Sequence, residues 1–449
     1  MASEDLMIKY NVPTPRYTSY PTVPMWSEES IAQDNWKSEI TKTVSRENHK
    51  VNLYIHLPFC DSLCTFCGCN KRITKNHDVE GDYVDAILKE WQLYYDLFPE
   101  RPIIHELHLG GGTPTFFSAR NLERLIQGIL DTAEVSDNNA FSFEGNPKNT
   151  TRKQLETLYK LHFRRASYGI QDFDPTVQDV INRIQDFDLV KRVVDDTREA
   201  GFEAINFDLV YGLPFQTLNS IDDTFKKVAE LRPDRIAYYS YAHVPWVKGV
   251  GQRKFSDEDI PRDDEKRSLY ERGRIYLSEQ GYKDVGMDHF ALKNDELYEA
   301  LKNGNLFRNF MGYTVYRSRF QLGLGVSSIS DTWTSFAQNE KILENYYARI
   351  DEGELPITKG HFLNSDDEII RQCILDLMCR GETRIPEEVD YEEIYKRLSP
   401  MEADGLINLD KKMVRILEKG KPFIRNISMA FDLRLWKEKP QSQLFSMSI

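Results

Sequence analysis

Four of the six cysteines in this chain, Cys60, Cys64, Cys67 and Cys69, lie within ten residues. The first three follow the spacing C-x₃-C-x₂-C, and thiolates so placed on one short loop can each bind a separate iron of a four-iron cluster. A zinc site would need four ligands, usually in two pairs, and no second pair of that kind is present. The spacing therefore predicts a 4Fe-4S cluster bound by Cys60, Cys64 and Cys67.

A cluster held by three cysteines has one open iron, which needs an occupant. The amino and carboxylate groups of S-adenosylmethionine can chelate that iron while the cluster donates an electron to the sulfonium. The spacing of Cys60, Cys64 and Cys67 resembles the radical S-adenosylmethionine superfamily. The cysteine loop therefore implies a 4Fe-4S cluster and S-adenosylmethionine as cofactors.

Composition and charge restrict the location and the partners of the protein. Cys373 and Cys379 lie in an apolar helical stretch and no secretory h-region is present, so we expect a reducing compartment rather than a disulfide framework. The formal net charge of −13 argues against nucleic acid or a membrane surface as partner, because either would favour a basic face. The apolar runs are too short to span a bilayer. We therefore expect a cytoplasmic monomer without a membrane span.

Short β-rich runs alternate with longer helical patterns, which is typical of a parallel sheet with crossover helices. The predicted strands cover residues 51–57, 104–109, 140–144, 165–170, 204–209, 235–240 and 283–287. This pattern predicts an α/β fold, an incomplete (β/α) barrel over residues 51–338. An N-terminal arm over 1–50 would cover the barrel mouth as a lid or pack on its flank. A mainly helical, winged-helix-like domain is predicted over 339–449, where strand signals fade.

In such a barrel, functional residues collect where strands end and loops begin. Gly110, Gly111 and Gly112 directly follow the second predicted strand and let a ligand approach the backbone, although a plain turn shows the same pattern. Polar groups follow the next strands, namely Glu144, Gln171, Asp208 and the pair Ala242-His243. Carboxylates at one rim could hold the amine and ribose hydroxyls of an adenosyl ligand, and Arg183 could pair with a ligand carboxylate. Each residue alone is more often a cap or a surface residue.

Segments outside the cysteine loop resemble one family within that superfamily. They are Arg16-Tyr17-Thr18-Ser19-Tyr20-Pro21, Tyr211-Gly212-Leu213-Pro214, Gly286-Met287-Asp288-His289-Phe290 and Ile424-Arg425-Asn426-Ile427-Ser428-Met429. Within the loop, the second cysteine of Cys67-Gly68-Cys69-Asn70 separates this family from other radical enzymes. Because these motifs extend over almost the whole chain, the sequence resembles the oxygen-independent coproporphyrinogen III oxidases.

The resemblance implies an oxidoreductase of porphyrin and haem biosynthesis. Members of that family bind one cluster and two S-adenosylmethionines, and they convert two propionate side chains of coproporphyrinogen III to vinyl groups. The product is protoporphyrinogen IX, and an electron donor such as a flavodoxin or ferredoxin is implied. The key step is a radical one that needs no general acid or base, so we predict no catalytic side chain. The sequence agrees, because it shows no defensible nucleophile–base pair.

The resemblance also assigns site residues, position by position. Cys60, Cys64 and Cys67 match the cluster ligands, whereas Cys69 matches a family cysteine that is not a ligand, and its role stays open. Contacts to the cluster-bound S-adenosylmethionine match Tyr54, Gly111, Glu144 and Ile329. Contacts to the second S-adenosylmethionine match Phe66, Gly112, Thr113, Gln171, Arg183, Asp208 and Ala242.

The implied substrate carries several carboxylates, whereas the protein is acidic overall, so local cations must bind them. The candidates are Arg16, Lys71, Arg72 and Arg308, although lone basic residues usually face solvent. The chain departs from the family pattern after Gly312-Tyr313-Thr314, where bulky and basic residues replace small and acidic ones over 315–321. Asn146 also stands where aspartate is expected. Residues 316–320 could therefore alter the choice of substrate.

Two other functions stay open for a chain of this kind. One is a radical enzyme that modifies haem, such as a haem-degrading methyltransferase, and Cys69 argues against it because such relatives generally lack the second cysteine of the C-x-C motif. The other is a non-catalytic haem chaperone. A carrier gains nothing from an intact adenosyl site, so its residues argue against this second alternative, namely Glu144, Gln171, Arg183 and Asp208.

Overall fold

The computed structural model describes residues 4–26, 31–243, 255–438 and 444–448. Its α-helices are α1 (Glu4–Tyr10), α2 (Gln33–Arg46), α3 (Val79–Tyr95), α4 (Ala119–Leu130), α5 (Arg152–Lys160), α6 (Pro175–Val180), α7 (Phe187–Glu199), α8 (Leu218–Leu231), α9 (Asp263–Glu279), α10 (Glu296–Lys302), α11 (Leu343–Asp351), α12 (Ser365–Arg380), α13 (Tyr391–Ala403), α14 (Ile424–Met429) and α15 (Leu433–Glu438). No helix in these ranges combines the length and the apolarity needed to cross a bilayer.

The strands alternate with these helices over the first two thirds of the chain and then follow one another more closely. They are β1 (Lys50–Leu57), β2 (Phe59–Cys60), β3 (Arg72–Ile73), β4 (Ile103–Gly111), β5 (Glu134–Gly145), β6 (Phe163–Gln171), β7 (Ala204–Tyr211), β8 (Arg235–Ser240), β9 (Lys283–Gly286), β10 (His289–Ala291), β11 (Phe307–Asn309), β12 (Gly312–Thr314), β13 (Gln321–Leu324), β14 (Ile329–Asp331), β15 (Ser335–Asn339), β16 (Ile357–Phe362), β17 (Glu382–Arg384), β18 (Ile407–Asp410) and β19 (Met413–Ile416).

Twelve of these strands form one sheet, in the order β16-β15-β14-β13-β1-β4-β5-β6-β7-β8-β10-β9. From β1 to β8 the neighbours are parallel and follow chain order, as a series of right-handed β-α-β units requires. β13 also pairs with β1 in parallel, with Asn52 opposite Gln321. In the described part of the chain the two end strands, β16 and β9, do not pair with each other. The incomplete barrel predicted from the sequence is therefore confirmed.

The seventh predicted strand, over residues 283–287, does not continue the parallel series. It corresponds to β9, which lies at the sheet edge and pairs antiparallel with β10, and β10 pairs antiparallel with β8. Asp288 adopts a φ of 63° in the short turn between β9 and β10. A turn this short can only join antiparallel strands, because a parallel pair needs a long crossover.

The side chains of the parallel strands divide between a helix-covered core and an inner polar face. On β4, Leu107 and Leu109 are buried in the core. Glu106 and His108, which alternate with them along the strand, belong to the opposite face. The helices complete the core with one apolar stripe each, as Leu122, Leu125, Ile126 and Ile129 do on α4. The strand alternation therefore leaves polar side chains inside the barrel.

The N-terminal region packs against two different parts of the molecule. Trp36, Ile40 and Val44 of α2 lie in the main core. Tyr17 and Tyr20 instead lie in a second core with apolar residues of α12, α13 and α14, and the Tyr17 hydroxyl donates a hydrogen bond to Asp432 at 3.0 Å. No described residue before β1 lines the main cavity at the inner face of the sheet.

The C-terminal region begins with a strand of the large sheet. β16 lies beyond the predicted boundary at residue 339 and pairs with β15, so the sheet extends to Phe362. Beyond it, α12 and α13 lie beside a small antiparallel sheet in the order β17-β19-β18. Helices with a small sheet of this kind agree with the mainly helical character expected of this region.

Candidate active site

A cavity of about 740 Å³ opens on the inner face of the sheet, at the carboxyl ends of the parallel strands. Its wall contains most of the residues that the sequence assigned to the cluster and to S-adenosylmethionine. These are Cys60, Cys64, Phe66, Cys67, Gly111, Gly112, Thr113, Glu144, Gln171, Arg183, Asp208 and Ala242. They come from loops that are far apart in the sequence, and the parallel sheet places the ends of those strands side by side.

The cysteine loop is fixed at both ends by backbone hydrogen bonds. β2 and β3 pair in parallel, with Cys60 opposite Ile73, so the loop leaves and returns at the same place. Inside the loop the Cys67 amide donates to the Cys64 carbonyl at 3.2 Å. Lys71 Nζ donates to the carbonyl oxygens of Cys67 and Cys69. These hydrogen bonds close the loop, and its thiols line the same cavity.

Hydrogen-bond donors lie beside the motif thiols of Cys60 and Cys64, and the thiols of Cys60 and Cys67 differ in their pKa. Thr113 Oγ1 lies 3.2 Å from Cys60 Sγ, and Arg183 Nη1 donates to Cys64 Sγ at 3.5 Å. A side-chain hydrogen bond with Cys69 lowers the pKa of the Cys67 thiol. Burial, in contrast, raises the pKa of Cys60 to about 11. Hydrogen-bond donors and a nearby cation stabilise thiolates that bind metal.

These residues fit an iron–sulfur cluster better than a single metal ion. No group of three His, Cys, Asp or Glu side chains within the described ranges could hold one metal ion. All six cysteines are free thiols. Three soft sulfur donors around one cavity, each able to bind its own iron, are the donor set of a cluster with one open iron. Cys60, Cys64 and Cys67 would hold that cluster.

The glycine-rich turn after β4 brings backbone against the cysteine loop. The Gly112 amide donates to the Leu57 carbonyl at 2.9 Å. A Cβ atom added to Gly112 would lie 2.5 Å from the Pro58 carbonyl oxygen, and Gly111 adopts a φ of +112°. A side chain at Gly112 would displace backbone, and one at Gly111 would be strained by the positive φ and would meet the His56 ring. The turn is therefore built for close approach, which a plain strand-to-helix turn does not require.

Glu144 and His108 form one polar wall of the cavity. His108 Nε2 lies 3.4 Å from Glu144 Oε1, and its Nδ1 lies 2.8 Å from the Ser142 hydroxyl. The Tyr54 ring stacks on His108 with the ring centres 6.1 Å apart. Tyr54 itself does not line the cavity, so it supports this wall from behind.

Asp208 and Arg183 form a second polar wall. Asn206 Nδ2 donates to Asp208 Oδ1 at 2.9 Å, and the Ser167 hydroxyl donates to Oδ2 at 3.3 Å. Burial and the charge of Glu144 raise the pKa of Asp208 to about 7. Arg183 Nε donates to the Gly169 carbonyl at 3.0 Å, which aims the guanidinium at Cys64. Carboxyl groups held in this way can accept hydrogen bonds from amine or hydroxyl groups of a ligand.

Two assigned residues, Tyr54 and Ile329, are outside the cavity wall. Ile329 lies at the start of β14, where its carbonyl oxygen would be 2.6 Å from a Cβ atom on Gly323. Gly323 in turn pairs with Tyr54 across β13 and β1. The two residues are therefore neighbours behind the β1 side of the cavity.

Several wall residues were missed by the sequence reasoning. They are Glu106, His108, Arg165, Ser167, Asn206, Tyr239, His289, Asn309, Met311 and Tyr313. Part of this set had a signal, since Asn206 precedes Asp208 by two residues and His108 precedes Gly110 by two, which places each pair on one strand face. The residues of the hairpin β11–β12 had no such signal, because that hairpin reaches the cavity only through tertiary packing.

The four basic candidates for the substrate carboxylates differ in their environments. Arg16 forms an ion pair of 2.5 Å with Asp288. Lys71 lines the cavity but already donates to two carbonyl oxygens, and the exposed Arg72 pairs with Glu344 at 3.2 Å. Arg308 is buried in β11, beside the cavity.

The unusual run after β12 faces away from the cavity. Tyr316 meets His105 edge to face at 4.2 Å, and Arg317 donates to Gln372 at 3.1 Å. The Arg319 guanidinium lies 4.9 Å from the centre of the Trp333 ring. No residue of 315–320 is part of the cavity wall in the described structure. Residues 315–320 therefore have no direct contact with the cavity through which they could influence the choice of substrate.

Known proteins resemble this chain, one family model over a segment and several relatives over the whole length. Residues 54–228 match the model of the radical SAM superfamily, and this range contains the cysteine loop. Oxygen-independent coproporphyrinogen III oxidase from Escherichia coli is 38% identical over 99% of this chain and 98% of its own length. The oxidase of the same name from Synechocystis is 37% identical over 100% of this chain and 98% of its own length.

Solved structures give the same result. The structure described as coproporphyrinogen III oxidase from Escherichia coli, a radical SAM enzyme, superposes with a TM-score of 0.89 at 36% identity. It covers 95% of this chain and 98% of its own. Identity of this level over the full length, together with the cysteine loop and the shared fold, shows that this chain belongs to the oxygen-independent coproporphyrinogen III oxidases.

Proposed function

We propose that this chain converts coproporphyrinogen III to protoporphyrinogen IX by oxidative decarboxylation without oxygen, in porphyrin and haem biosynthesis. The observation that carries the proposal is the meeting of the three motif cysteines with Glu144 and Asp208 in one cavity. The names of the full-length relatives support the substrate. The reaction removes a hydrogen atom, carbon dioxide and one electron from each of two propionates and leaves two vinyl groups.

Different residues of the chain would bind and orient the cluster and S-adenosylmethionine. A 4Fe-4S cluster with S-adenosylmethionine supplies, when bound, a 5′-deoxyadenosyl radical that takes a hydrogen atom from the propionate β-carbon. Cys60, Cys64 and Cys67 would hold the cluster, while Arg183 and Thr113 donate hydrogen bonds toward their sulfurs. A radical step of this kind needs no side chain to act as acid or base. The protein mainly binds, orients and excludes competing reactions.

The polar walls would hold the adenosyl ligands. Glu144, backed by His108, would accept hydrogen bonds beside the cysteine loop. Gln171 on β6, Asp208 on β7 and Arg183 beyond α6 form a polar set in the same cavity, and this set supports our proposal of a second S-adenosylmethionine. Phe66 and Ala242 would contact the apolar parts of that second molecule. Tyr54 and Ile329 would complete the first site from behind the wall.

Further attributes belong to the same proposal. We propose a cytoplasmic monomer that takes electrons from a flavodoxin or ferredoxin. We also propose an arm over residues 1–50, a barrel domain and a C-terminal domain. Because β16 belongs to the large sheet, the second boundary of this division fits best after Phe362 rather than at residue 338. The departures at residues 315–320 give the haem-modifying alternative no support, because they do not contact the cavity, whereas the other departure, Asn146, lines it.

The test is an anaerobic reaction of the reconstituted chain with S-adenosylmethionine, a strong reductant and coproporphyrinogen III. Products are followed by mass spectrometry. Loss of two carboxyl groups with formation of 5′-deoxyadenosine supports the proposal. Formation of 5′-deoxyadenosine without decarboxylation would contradict it and direct the search to haem as substrate. The absence of both products with an intact cluster would favour a carrier.

A further inference from the structure

Arg308 is a buried arginine with no carboxylate partner among the described residues. It lies on β11 opposite Tyr313, with its guanidinium carbon 4.7 Å from the centre of the Tyr313 ring. The residue is only 4% exposed. Its Nε and Nη1 atoms are buried and have no hydrogen-bond partner among the described residues. Native proteins rarely leave buried donors in this state without a ligand.

The other arginines around the cavity differ from Arg308 in this respect. They form ion pairs, namely Arg16 with Asp288, Arg165 with Glu296, and Arg235 with Asp295. Arg183 instead donates to a carbonyl oxygen and to Cys64 Sγ. Within the described ranges, the structure pairs no carboxylate with Arg308. The unpaired charge is thus a property of one position and not of the cavity in general.

The groups next to Arg308 are neutral and cannot balance its charge. His289 Nδ1 donates to the Met287 carbonyl at 2.6 Å, so Nε2 is left to accept from the Tyr239 hydroxyl at 3.3 Å. Burial and the charge of Arg308 lower the pKa of His289 to about 4, which keeps the ring uncharged at neutral pH. The Tyr313 hydroxyl donates to the Met378 carbonyl at 2.8 Å. No described neighbour of Arg308 therefore supplies an anion, which leaves its charge available to the carboxylate of a ligand.

The hairpin that carries Arg308 forms part of the wall of the main cavity, and Arg308 itself lies directly behind the lining residue Tyr313. Asn309, Met311 and Tyr313 line the cavity on this side, together with Tyr239 and His289. A ligand held here would meet aromatic and apolar surface around one cation. A macrocycle of four pyrrole rings with carboxylate arms offers this combination of groups. The planar guanidinium can bind a carboxylate through two parallel hydrogen bonds.

We propose that Arg308 binds a propionate carboxylate of coproporphyrinogen III, an inference that rests on the proposed function. S-adenosylmethionine also carries a carboxylate, so the test must separate the two sources. Arg308→Met removes the charge and keeps a side chain of similar length. Arg308→Lys keeps the positive charge but loses the planar guanidinium that can form two parallel hydrogen bonds with a carboxylate. Arg192→Met, at an exposed position of α7, is the matched control.

The experiment measures equilibrium binding of coproporphyrinogen III and of S-adenosylmethionine to the anaerobically reconstituted full chain, and the midpoint of thermal unfolding without ligand. For Arg308→Met we expect binding of coproporphyrinogen III to weaken about 10- to 100-fold. Binding of S-adenosylmethionine should change less than about twofold, by the same arithmetic. The unfolding midpoint should rise, because an unpaired buried charge is removed. The affinity of Arg308→Lys for coproporphyrinogen III should lie between those of the parent and of Arg308→Met. Arg192→Met should match the parent in both affinities and in the unfolding midpoint.

Three results would overturn the assignment. Unchanged binding of coproporphyrinogen III by Arg308→Met removes the role. Weaker binding of S-adenosylmethionine with unchanged binding of coproporphyrinogen III assigns Arg308 to the other carboxylate. A lower unfolding midpoint with loss of both ligands makes Arg308 structural. Failure of the parent chain to bind coproporphyrinogen III contradicts the proposed function itself, and this result needs no variant.

Discussion

The guanidinium of Arg183 lies beside the thiol of Cys64, with Nη1 3.5 Å from Sγ. Its Nε donates to the Gly169 carbonyl on β6 at 3.0 Å, so the same side chain joins the cysteine loop to the strand next to Asp208. A cation here stabilises a thiolate on one side and can attract a ligand carboxylate on the other. This contact couples the two halves of the site.

Arg183→Met should weaken the binding of S-adenosylmethionine without preventing cluster assembly. We expect about a tenfold loss of affinity, the size of one charge-assisted hydrogen bond. Iron and sulfide content per chain, together with isothermal titration of S-adenosylmethionine, measure the two effects. Arg192→Met, which lies on exposed α7, is the control and should leave both unchanged. Unaltered affinity in Arg183→Met would remove Arg183 from the adenosyl site.

Cys60→Ser should abolish the absorbance of the cluster and all turnover, because a hydroxyl does not replace a thiolate as an iron ligand. Reconstitution followed by iron analysis and visible absorption measures the first effect, and formation of 5′-deoxyadenosine measures the second. Cys373→Ser is the matched control, since Cys373 is buried in α12 within the second core. It should retain the cluster. Full activity in Cys60→Ser would exclude a cluster-dependent mechanism.

Asp208→Asn should make the cluster-free chain more stable at high pH while weakening S-adenosylmethionine binding. Burial raises the pKa of Asp208 from its ordinary 3.8 to about 7, so the folded state holds a proton that the unfolded state loses. Stability contributed by this group is present below pH 4 and is lost as the pH rises toward 7. Because Asp208 is partly open to the cavity, we expect a gain of about 1–3 kcal/mol for Asp208→Asn above pH 7.

Urea unfolding of the parent and of Asp208→Asn at pH 4.5 and pH 8 measures this difference. The two proteins should be closer in stability at the lower pH. A difference that is the same at both pH values would mean that Asp208 does not titrate in this range. Asp174→Asn is not a suitable control, because Asp174 caps α6. Asp188→Asn, at an exposed position of α7, should show no such pH dependence.

Gly112→Ala should destabilise the turn that follows β4 and packs against the start of the cysteine loop. A Cβ atom there would lie 2.5 Å from the Pro58 carbonyl oxygen, which is backbone and cannot rotate away. We expect a loss of about 1–3 kcal/mol in the free energy of unfolding and weaker S-adenosylmethionine binding. Gly81→Ala is the control, since nothing lies within 4 Å of that Cβ and Gly81 is helical. It should be neutral or slightly stabilising, by up to about 1 kcal/mol.

The sequence alone determined the parts of the protein that depend on local pattern. The spacing of Cys60, Cys64 and Cys67 defined a cluster loop, because three ligands within eight residues need no tertiary information to be recognised. The parallel order of β1, β4, β5, β6, β7 and β8 followed from alternating strand and helix signals. Residues at the ends of these strands then had to meet at one edge, which is why Glu144 and Asp208 could be selected from the sequence.

Only the tertiary structure decided which charges are paired. Arg16 meets Asp288 across 272 residues, and no local pattern announces such a contact. The same holds for the hairpin β11–β12, which places Arg308 behind the cavity wall with no hydrogen-bond partner for Nε and Nη1 among the described residues. The antiparallel edge at β9 and β10 also depended on a turn at Asp288 that the strand signals did not show. Ion pairs, hairpin placement and edge pairing are set by packing between distant segments, and therefore by the fold as a whole.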